Sequence, residues 1–427
     1  MTDKKVNYKA ILKESGYRKL LISTMINRFG DSLDAVAFTW LVYQVTHSGV
    51  WSAIIFGMNI LPNVIVQPFA GAIVERLDKK KVIVITHIMR GLLLVGFLAV
   101  YLSGTMNGWI MAGFTFAVTS IEAFNMPAST AFIPKVIKQE LLSHGLSFNT
   151  MMSGVVSFVG TGTAGVLIAK TGIFTVVIID IVTFFIAAFI IMTIKVKGNN
   201  EEEMQSVNKE KYFTTLKEGL CYIKKESLIW NYCIIAVMLN FMLVPINALQ
   251  APLVKECYKM GSGLLSVIGM AGSVGAILGS ALIPVVSKKF TVKKTILVFS
   301  FILGLGTMLL PMMGIIINID QLKYIFAGVC IVIITLSVSF ISGRINIEFI
   351  SNVDSKYISR SSAVFVSLST AAIPVTSMAV GWAKSILSTS TLIIICGIAT
   401  VTFTVILMMI NPKLDKHEEK IYEVNTI

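Results

Sequence analysis

Residues 173–195 read IFTVVIIDIVTFFIAAFIIMTIK, an apolar run broken by one acid, Asp180, before the basic end at Lys195. A run of this length spans the roughly 30 Å hydrocarbon core of a bilayer as an α-helix, at about 1.5 Å of rise per residue. Runs of the same kind recur on both sides of it. Their approximate boundaries are 18–43, 50–74, 82–103, 108–133, 146–169, 173–195, 228–252, 262–287, 294–317, 324–346, 361–383 and 389–410. Short turns separate them, including His47-Ser48-Gly49, Asn107-Gly108, Lys170-Thr171-Gly172 and Gly261-Ser262-Gly263. Composition agrees: 55% of the residues are hydrophobic, 14% are charged, and the mean hydropathy is +0.80. A barrel would instead show short alternating segments. The expected fold class is therefore an all-α polytopic membrane protein with twelve transmembrane helices. Residues 1–17 are polar and basic, and no signal peptide is expected there.

The net charge of +13 is distributed in a way that argues for topology rather than nucleic-acid binding. Lys4, Lys5, Lys9, Lys13, Arg18 and Lys19 crowd the N-terminus, and Arg76, Lys79, Lys80 and Lys81 follow span two. Further bases lie between spans six and seven, between spans eight and nine, and at the C-terminus, whereas the alternate turns hold only Lys170, Lys255, Lys259, Lys323 and Lys384. This asymmetry places both termini and the middle loop in the cytoplasm, as expected for a multi-pass protein of the cell membrane. Anionic lipid headgroups are a secondary partner for the basic clusters.

Residues 197–227 form the one long polar interruption. Six spans lie on each side, so the expected organisation is a bundle over 1–196, a cytoplasmic linker over 197–227 with an amphipathic helix near Tyr212–Lys225, and a second bundle with a tail over 228–427. Phe132, Ile133 and Val136 before span five match Phe349, Ile350 and Val353 before span eleven at one constant offset. Parallel repeats around a midplane site are a transporter architecture.

The loop after span two reads Gly71-Ala-Ile-Val-Glu75-Arg76-Leu-Asp78-Lys79-Lys80-Lys81. It resembles the signature loop of the major facilitator superfamily, with Glu75 in place of the usual Asp and Asp78 where glycine is usual. The resemblance implies that Gly71, Glu75, Arg76, Asp78 and Lys80 form a gating motif, with Gly71 allowing close helix approach and Glu75–Arg76 making charge pairs that break as the halves rock. Arg90 in span three is expected to help organise this gate, with an acid such as Glu75 as partner. Two further segments, Phe29-Gly30-Asp31-Ser32 running on to Trp40 and Gly49, and Phe124-Asn-Met-Pro127-Ala128 through Pro134, are similar to the macrolide-efflux-type branch, exporters of drugs and metabolites. That branch also includes siderophore carriers, and a related group handles lysolipids.

Ionisable groups within a membrane span are costly and usually face a cavity or a partner. Span one holds Asn27, Arg28, Asp31 and Asp34, and Asn27, Asp31 and Asp34 share one helical face. Asp31 lies about 20 Å along the helix from Arg18, well inside the bilayer, and Glu122 lies at similar depth in span four. In the resembled fold, spans one, four, seven and ten line the central cavity. Asp34, Glu122 and Asp31 are therefore candidates for proton coupling, and Asn27, Arg28, Asn240 and Asn247 for the substrate cavity. The alternative for Asp31 is an internal i,i+3 ion pair with Arg28. Asn240 and Asn247, around Pro245, contact substrate or make helix–helix hydrogen bonds. Arg344 with Glu348 reads as a structural salt bridge, and Asp180 as buried against a polar neighbour. Gly275 and Gly279 form a Gly-x-x-x-Gly packing motif.

No phosphate-binding Gly-x-x-x-x-Gly-Lys-Ser/Thr, Gly-x-Ser-x-Gly or His-Glu-x-x-His occurs. The histidines His47, His87, His144 and His417 are scattered, and Cys221, Cys233, Cys257, Cys330 and Cys396 show no metal or disulfide spacing. An enzyme, a bound metal and a cofactor are not expected. The expected function is secondary transport by a monomer, with protons and a small amphipathic molecule as the transported partners and with a lysolipid or siderophore carrier as the alternative.

Overall fold

The computed structural model describes residues 8–138, 141–195, 220–354, 358–412 and 414. The linker expected at 197–227 falls outside these residues up to position 219. Thirteen principal helices are described: α1 (Tyr8–Lys13), α2 (Ser15–Thr46), α3 (Gly49–Ile65), α4 (Gln67–Glu75), α5 (Lys79–Leu102), α6 (Gly108–Val136), α7 (Leu142–Met192), α8 (Ser227–Ala248), α9 (Ser262–Lys289), α10 (Val292–Ile316), α11 (Asp320–Asn352), α12 (Ile358–Lys384) and α13 (Thr389–Ile410).

The protein is an all-α polytopic membrane protein. Eight of the described helices are long and apolar enough to cross a membrane by themselves, and nine if the bent pair α3–α4 counts as one span. The order of helices is consistent with twelve crossings. Gly172 breaks α7 into two spans: its φ of 80° is a conformation that glycine reaches without a Cβ penalty. It ends the Lys170-Thr171-Gly172 turn read from the sequence. Span two also breaks, by 47°, where Pro68 opens α4 and cannot supply a backbone donor to the helix before it.

Local signals set the helix ends. The Asp78 carboxylate accepts from Lys80 N at 2.9 Å and Lys81 N at 3.3 Å, capping α5. Asn107 caps α6 by accepting from Ile110 N at 3.0 Å, and Ser388 caps α13 by accepting from Thr391 N at 3.1 Å. Each cap satisfies a donor that has no partner within its helix.

The chain divides into two compact units. The first comprises Met1–His47, Met58–Ser206 and Gly261–Met270; the second comprises Ser48–Gly57, Val207–Met260 and Ala271–Ile427. In the first unit α2 packs along α7 and α5 packs against both α6 and α7. Its core joins Leu20, Ile83, Phe132 and Ile191. Gly30 on α2 sits directly against Thr183 and the Asp180 carboxylate on α7, a contact that any side chain would block.

In the second unit α10 packs against α11 and α13, and α8 against α12. Gly275 and Gly279 of α9 lie against Thr335 and Ser339 of α11 with no room for a Cβ, the close approach that the motif forecasts. Arg344 and Glu348 form their i,i+4 ion pair at 3.0 Å. Beyond α8 a π-helical turn, Leu253–Tyr258, occupies what the sequence suggests is a loop. Glu256 in this turn pairs with Lys384 at 3.2 Å and accepts from Thr389 Oγ1 at 2.6 Å.

Candidate functional site

Polar and ionisable residues of the first unit converge because those on α2, α5 and α6 recur at helical spacing in otherwise apolar runs. α2 supplies Asn27, Arg28 and Asp31; α5 supplies His87 and Arg90; α6 supplies Glu122, Asn125 and Ser129; and α7 adds Asn149. Together they line a cavity of about 320 Å³, at the small end of the ~300–1,000 Å³ typical of ligand pockets.

Arg90 is the centre of this site. Its residue is 7% exposed, its Nη2 lies 2.9 Å from Asp31 Oδ1, and its guanidinium carbon lies 4.3 Å from the centroid of the Phe184 ring. The other Asp31 oxygen accepts from Asn27 Nδ2 at 2.8 Å. Both oxygens of this carboxylate are therefore held. Glu122 is different: its carboxylate is 3.8 Å from Arg90 and its side chain is 47% exposed, so it is only loosely compensated. Asn125 donates to Thr86 Oγ1 at 2.7 Å and accepts from Ser129 Oγ at 2.8 Å, which locks its orientation. Asn27 Oδ1, His87 Nδ1 and Arg90 Nε are buried without a hydrogen-bond partner among the described residues.

Two further acids lie close by. Asp34 lines a separate cavity of about 50 Å³ with Asn59, Thr115 and Thr119, walled by Phe38, Phe97 and Phe114. Asp180 is 1% exposed and accepts from Thr183 Oγ1 at 3.2 Å, the polar neighbour expected for it. Asp31, Glu122 and Asp180 all act electrostatically on Arg90, and Arg90 and Asp31 act on Asp34. A cluster with more carboxylates than buried cations is expensive in a membrane interior unless charge is compensated.

The structure thus gathers Asn27, Arg28, Asp31, Arg90 and Glu122 in one cavity and gives Asp34 its own. Asp31 takes Arg90 as its partner rather than Arg28, and Arg90 takes Asp31 and Glu122 rather than Glu75. The reason is rotational: the i,i+3 neighbour on one helix loses to a guanidinium delivered by the facing helix. Asn240 and Asn247 belong to the second unit. Asn240 bonds its own helix at Ala236 O, 3.0 Å away, and Asn247 is exposed.

In the loop motif, Glu75, Arg76 and Asp78 are exposed. Asp78 acts as the cap of α5, and Lys80 Nζ donates to Met192 O and Ile194 O, each at 2.8 Å, closing the end of α7. A Cβ at Gly71 would meet nothing within 4 Å, so the close helix approach expected there is not seen. Sequence spacing alone assigns no site role to His87, Asn149 or Phe184. His87 carries a readable signal, since it stands three residues before Arg90 in an apolar span.

A model of the family described as "Transmembrane secretion effector" matches residues 8–425. The chain belongs to this family of major facilitator transporters. Among its relatives, macrolide efflux protein A of Enterococcus faecalis is 23% identical over 336 residues, covering 76% of this chain and 99% of that protein. The staphyloferrin A transporter of Staphylococcus aureus (strain NCTC 8325 / PS 47) is 20% identical, covering 92% of this chain and 95% of that one. An uncharacterized MFS-type transporter of Bacillus subtilis (strain 168), YkuC, is 23% identical, and the match spans 65% of this chain and 66% of YkuC. The crystal structure of the nucleoside transporter NupG superposes with a TM-score of 0.73 at 10% identity, covering 92% of this chain and 98% of that one. At that identity the likeness concerns the fold. The transporters of this family act on small molecules, and the chain is a multi-pass membrane protein.

Proposed function

We propose that this family member is a proton-coupled secondary exporter of the cell membrane, working as a monomer by alternating access and without catalytic activity. Its two six-helix bundles, residues 1–196 and 228–427 joined by 197–227, would rock about a midplane site, with both termini in the cytoplasm. The observation that carries the reading is the carboxylate-rich cluster around Arg90, opening on a polar cavity within the membrane-spanning helices. Asp31 is held by Arg90 and Asn27 and serves as the fixed counter-charge. Glu122 and Asp34 are the carboxylates left to exchange protons. Protonation from outside and release inside, linked to substrate loading, completes a cycle in which Glu75–Arg76 governs the conformational step.

The name of the Enterococcus relative supports efflux of amphipathic drugs or metabolites. The Staphylococcus relative, matched over 92% of this chain, supports a second reading, a siderophore carrier of the same fold, beside which a lysolipid carrier remains the other member of that alternative. The test is a transport screen in proteoliposomes with an imposed pH difference, using panels of amphipathic drugs, siderophores and lysolipids. Accumulation of substrate against its gradient, abolished by a protonophore, is expected. Movement of lysolipid alone, or transport indifferent to the pH difference, rejects the proton-coupled exporter.

A further inference from the structure

The chemistry of the first unit's cavity narrows the cargo further. Most ligand pockets are walled by apolar and aromatic side chains; here the apolar wall is aliphatic, from Leu20, Leu21, Ile83, Met126, Ile133 and Ile191, and the rings in the lining are those of Tyr17 and His87. A flat apolar drug finds little to stack on. Two opposite charges, by contrast, are on offer in the same space. Arg28 is exposed to the cavity and makes no ion pair among the described residues. Asp31, its neighbour on α2, is already taken by Arg90 at 2.9 Å and Asn27 at 2.8 Å. Glu122, on the facing helix α6, keeps a loosely compensated carboxylate, 3.8 Å from Arg90 and 47% exposed.

An anion alone would suit Arg28, but it would favour proton uptake by Glu122 rather than compete with it. A cation alone would compete with the proton at Glu122 and leave Arg28, which lines the same cavity, as a repelling charge. A molecule with both charges meets both groups: its carboxylate takes the guanidinium fork of Arg28, and its ammonium displaces the proton from Glu122. Antiport requires that displacement.

We infer that the cavity takes a small zwitterion of the amino-acid or short-peptide class, its carboxylate on Arg28 and its ammonium on Glu122. The inference rests on the exporter reading and names its cargo. The carboxamide of Asn149 and the unpartnered Asn27 Oδ1 suit the amide bond of a peptide. The charged or titratable groups that line the cavity with Glu122 are Tyr17, Arg28 and Asp31 from α2 and His87 and Arg90 from α5, while α7 presents the neutral Asn149.

The test uses the full chain in nanodiscs and calorimetric titration with a panel of dipeptides led by L-alanyl-L-alanine, each also as its N-acetyl form and its C-terminal amide. Free zwitterions are expected to bind at least tenfold more tightly than either capped form. Arg28→Gln should erase the preference for the free acid over the amide and keep the preference for the free amine; Glu122→Gln should do the reverse. Size-exclusion profiles of both variants control for folding. Equal binding of capped and free forms, an equal loss for all ligands in both variants, or no binding by any dipeptide overturns the inference. Parallel efflux assays separate the two claims. Discrimination between capped and free peptides without pH-driven accumulation rejects proton coupling and keeps the cargo class. Accumulation of an uncharged amphiphile without any peptide discrimination rejects the cargo class and keeps the exporter.

Discussion

Arg90 on α5 and Asp31 on α2 lie 2.9 Å apart, 59 residues from one another in sequence, inside a helical bundle that offers the guanidinium little water. Such a pair is worth little as net stability, because burying two charges costs about what their attraction returns. Its removal by halves is another matter. Asp31→Asn leaves the Arg90 charge buried with Glu122 at 3.8 Å as its remaining ion-pair partner. Breaking a buried pair costs about 3–5 kcal/mol, so this variant should unfold at clearly lower temperature in detergent. Glu122→Gln, at a partly exposed group, should cost less than about 1 kcal/mol. Equal unfolding temperatures for wild type and Asp31→Asn would show that Arg90 is compensated elsewhere.

The loop motif is proposed to control exchange between conformations rather than binding. Arg76 is exposed at the end of α4 and does not line the cavity. Arg76→Ala should transport slowly while binding substrate with near-normal affinity. A large loss of affinity in a direct binding assay, with turnover per bound substrate preserved, contradicts this role.

The spans were legible because a bilayer demands some twenty consecutive apolar residues, and each carboxylate interrupting such a run announces itself. Gly172 was legible too, since a turn between two long runs needs a residue tolerant of positive φ. The partner of Asp31 was not. Local spacing offers Arg28 at i,i+3, whereas the observed pairing depends on how α2 and α5 rotate against each other, which no short-range pattern records. The π-helical turn at Leu253–Tyr258 escaped for a related reason: a slipped hydrogen-bond register leaves no trace in composition. The expectation at Gly71 came from resemblance, and in this conformation its Cβ position faces open space.

Cysteine labelling tests the proposed sidedness. Cys221 is exposed and Cys257 is buried. Burial, reinforced by the Glu256 charge and partly offset by Lys384, pushes the Cys257 thiol up to about 11. The thiolate is the nucleophile, so near neutral pH Cys257 stays protonated and inert. A membrane-impermeant maleimide should label Cys221 in inverted vesicles and not in intact cells, with Cys257 unlabelled in both. Labelling of Cys221 from outside intact cells overturns the cytoplasmic placement of the middle loop.

The proposed proton pathway makes the sharpest demand. Asp31 is held on both oxygens, and the proposed cycle assigns the proton to Glu122 and Asp34. They occupy different cavities, about 320 Å³ and about 50 Å³, so neither is expected to replace the other. Asp34→Asn combined with Glu122→Gln holds both sites in a neutral, protonated-like form while Asp31 and Arg90 keep their pair. Uphill export driven by a pH difference should then vanish. Downhill exchange of labelled for unlabelled substrate should survive, because exchange needs the helices to move but no net proton flow. The measurement is accumulation against exchange in the same proteoliposomes. A double variant that still concentrates substrate under the imposed pH difference removes Glu122 and Asp34 from the pathway and turns attention to Asp180, the buried carboxylate beside Thr183.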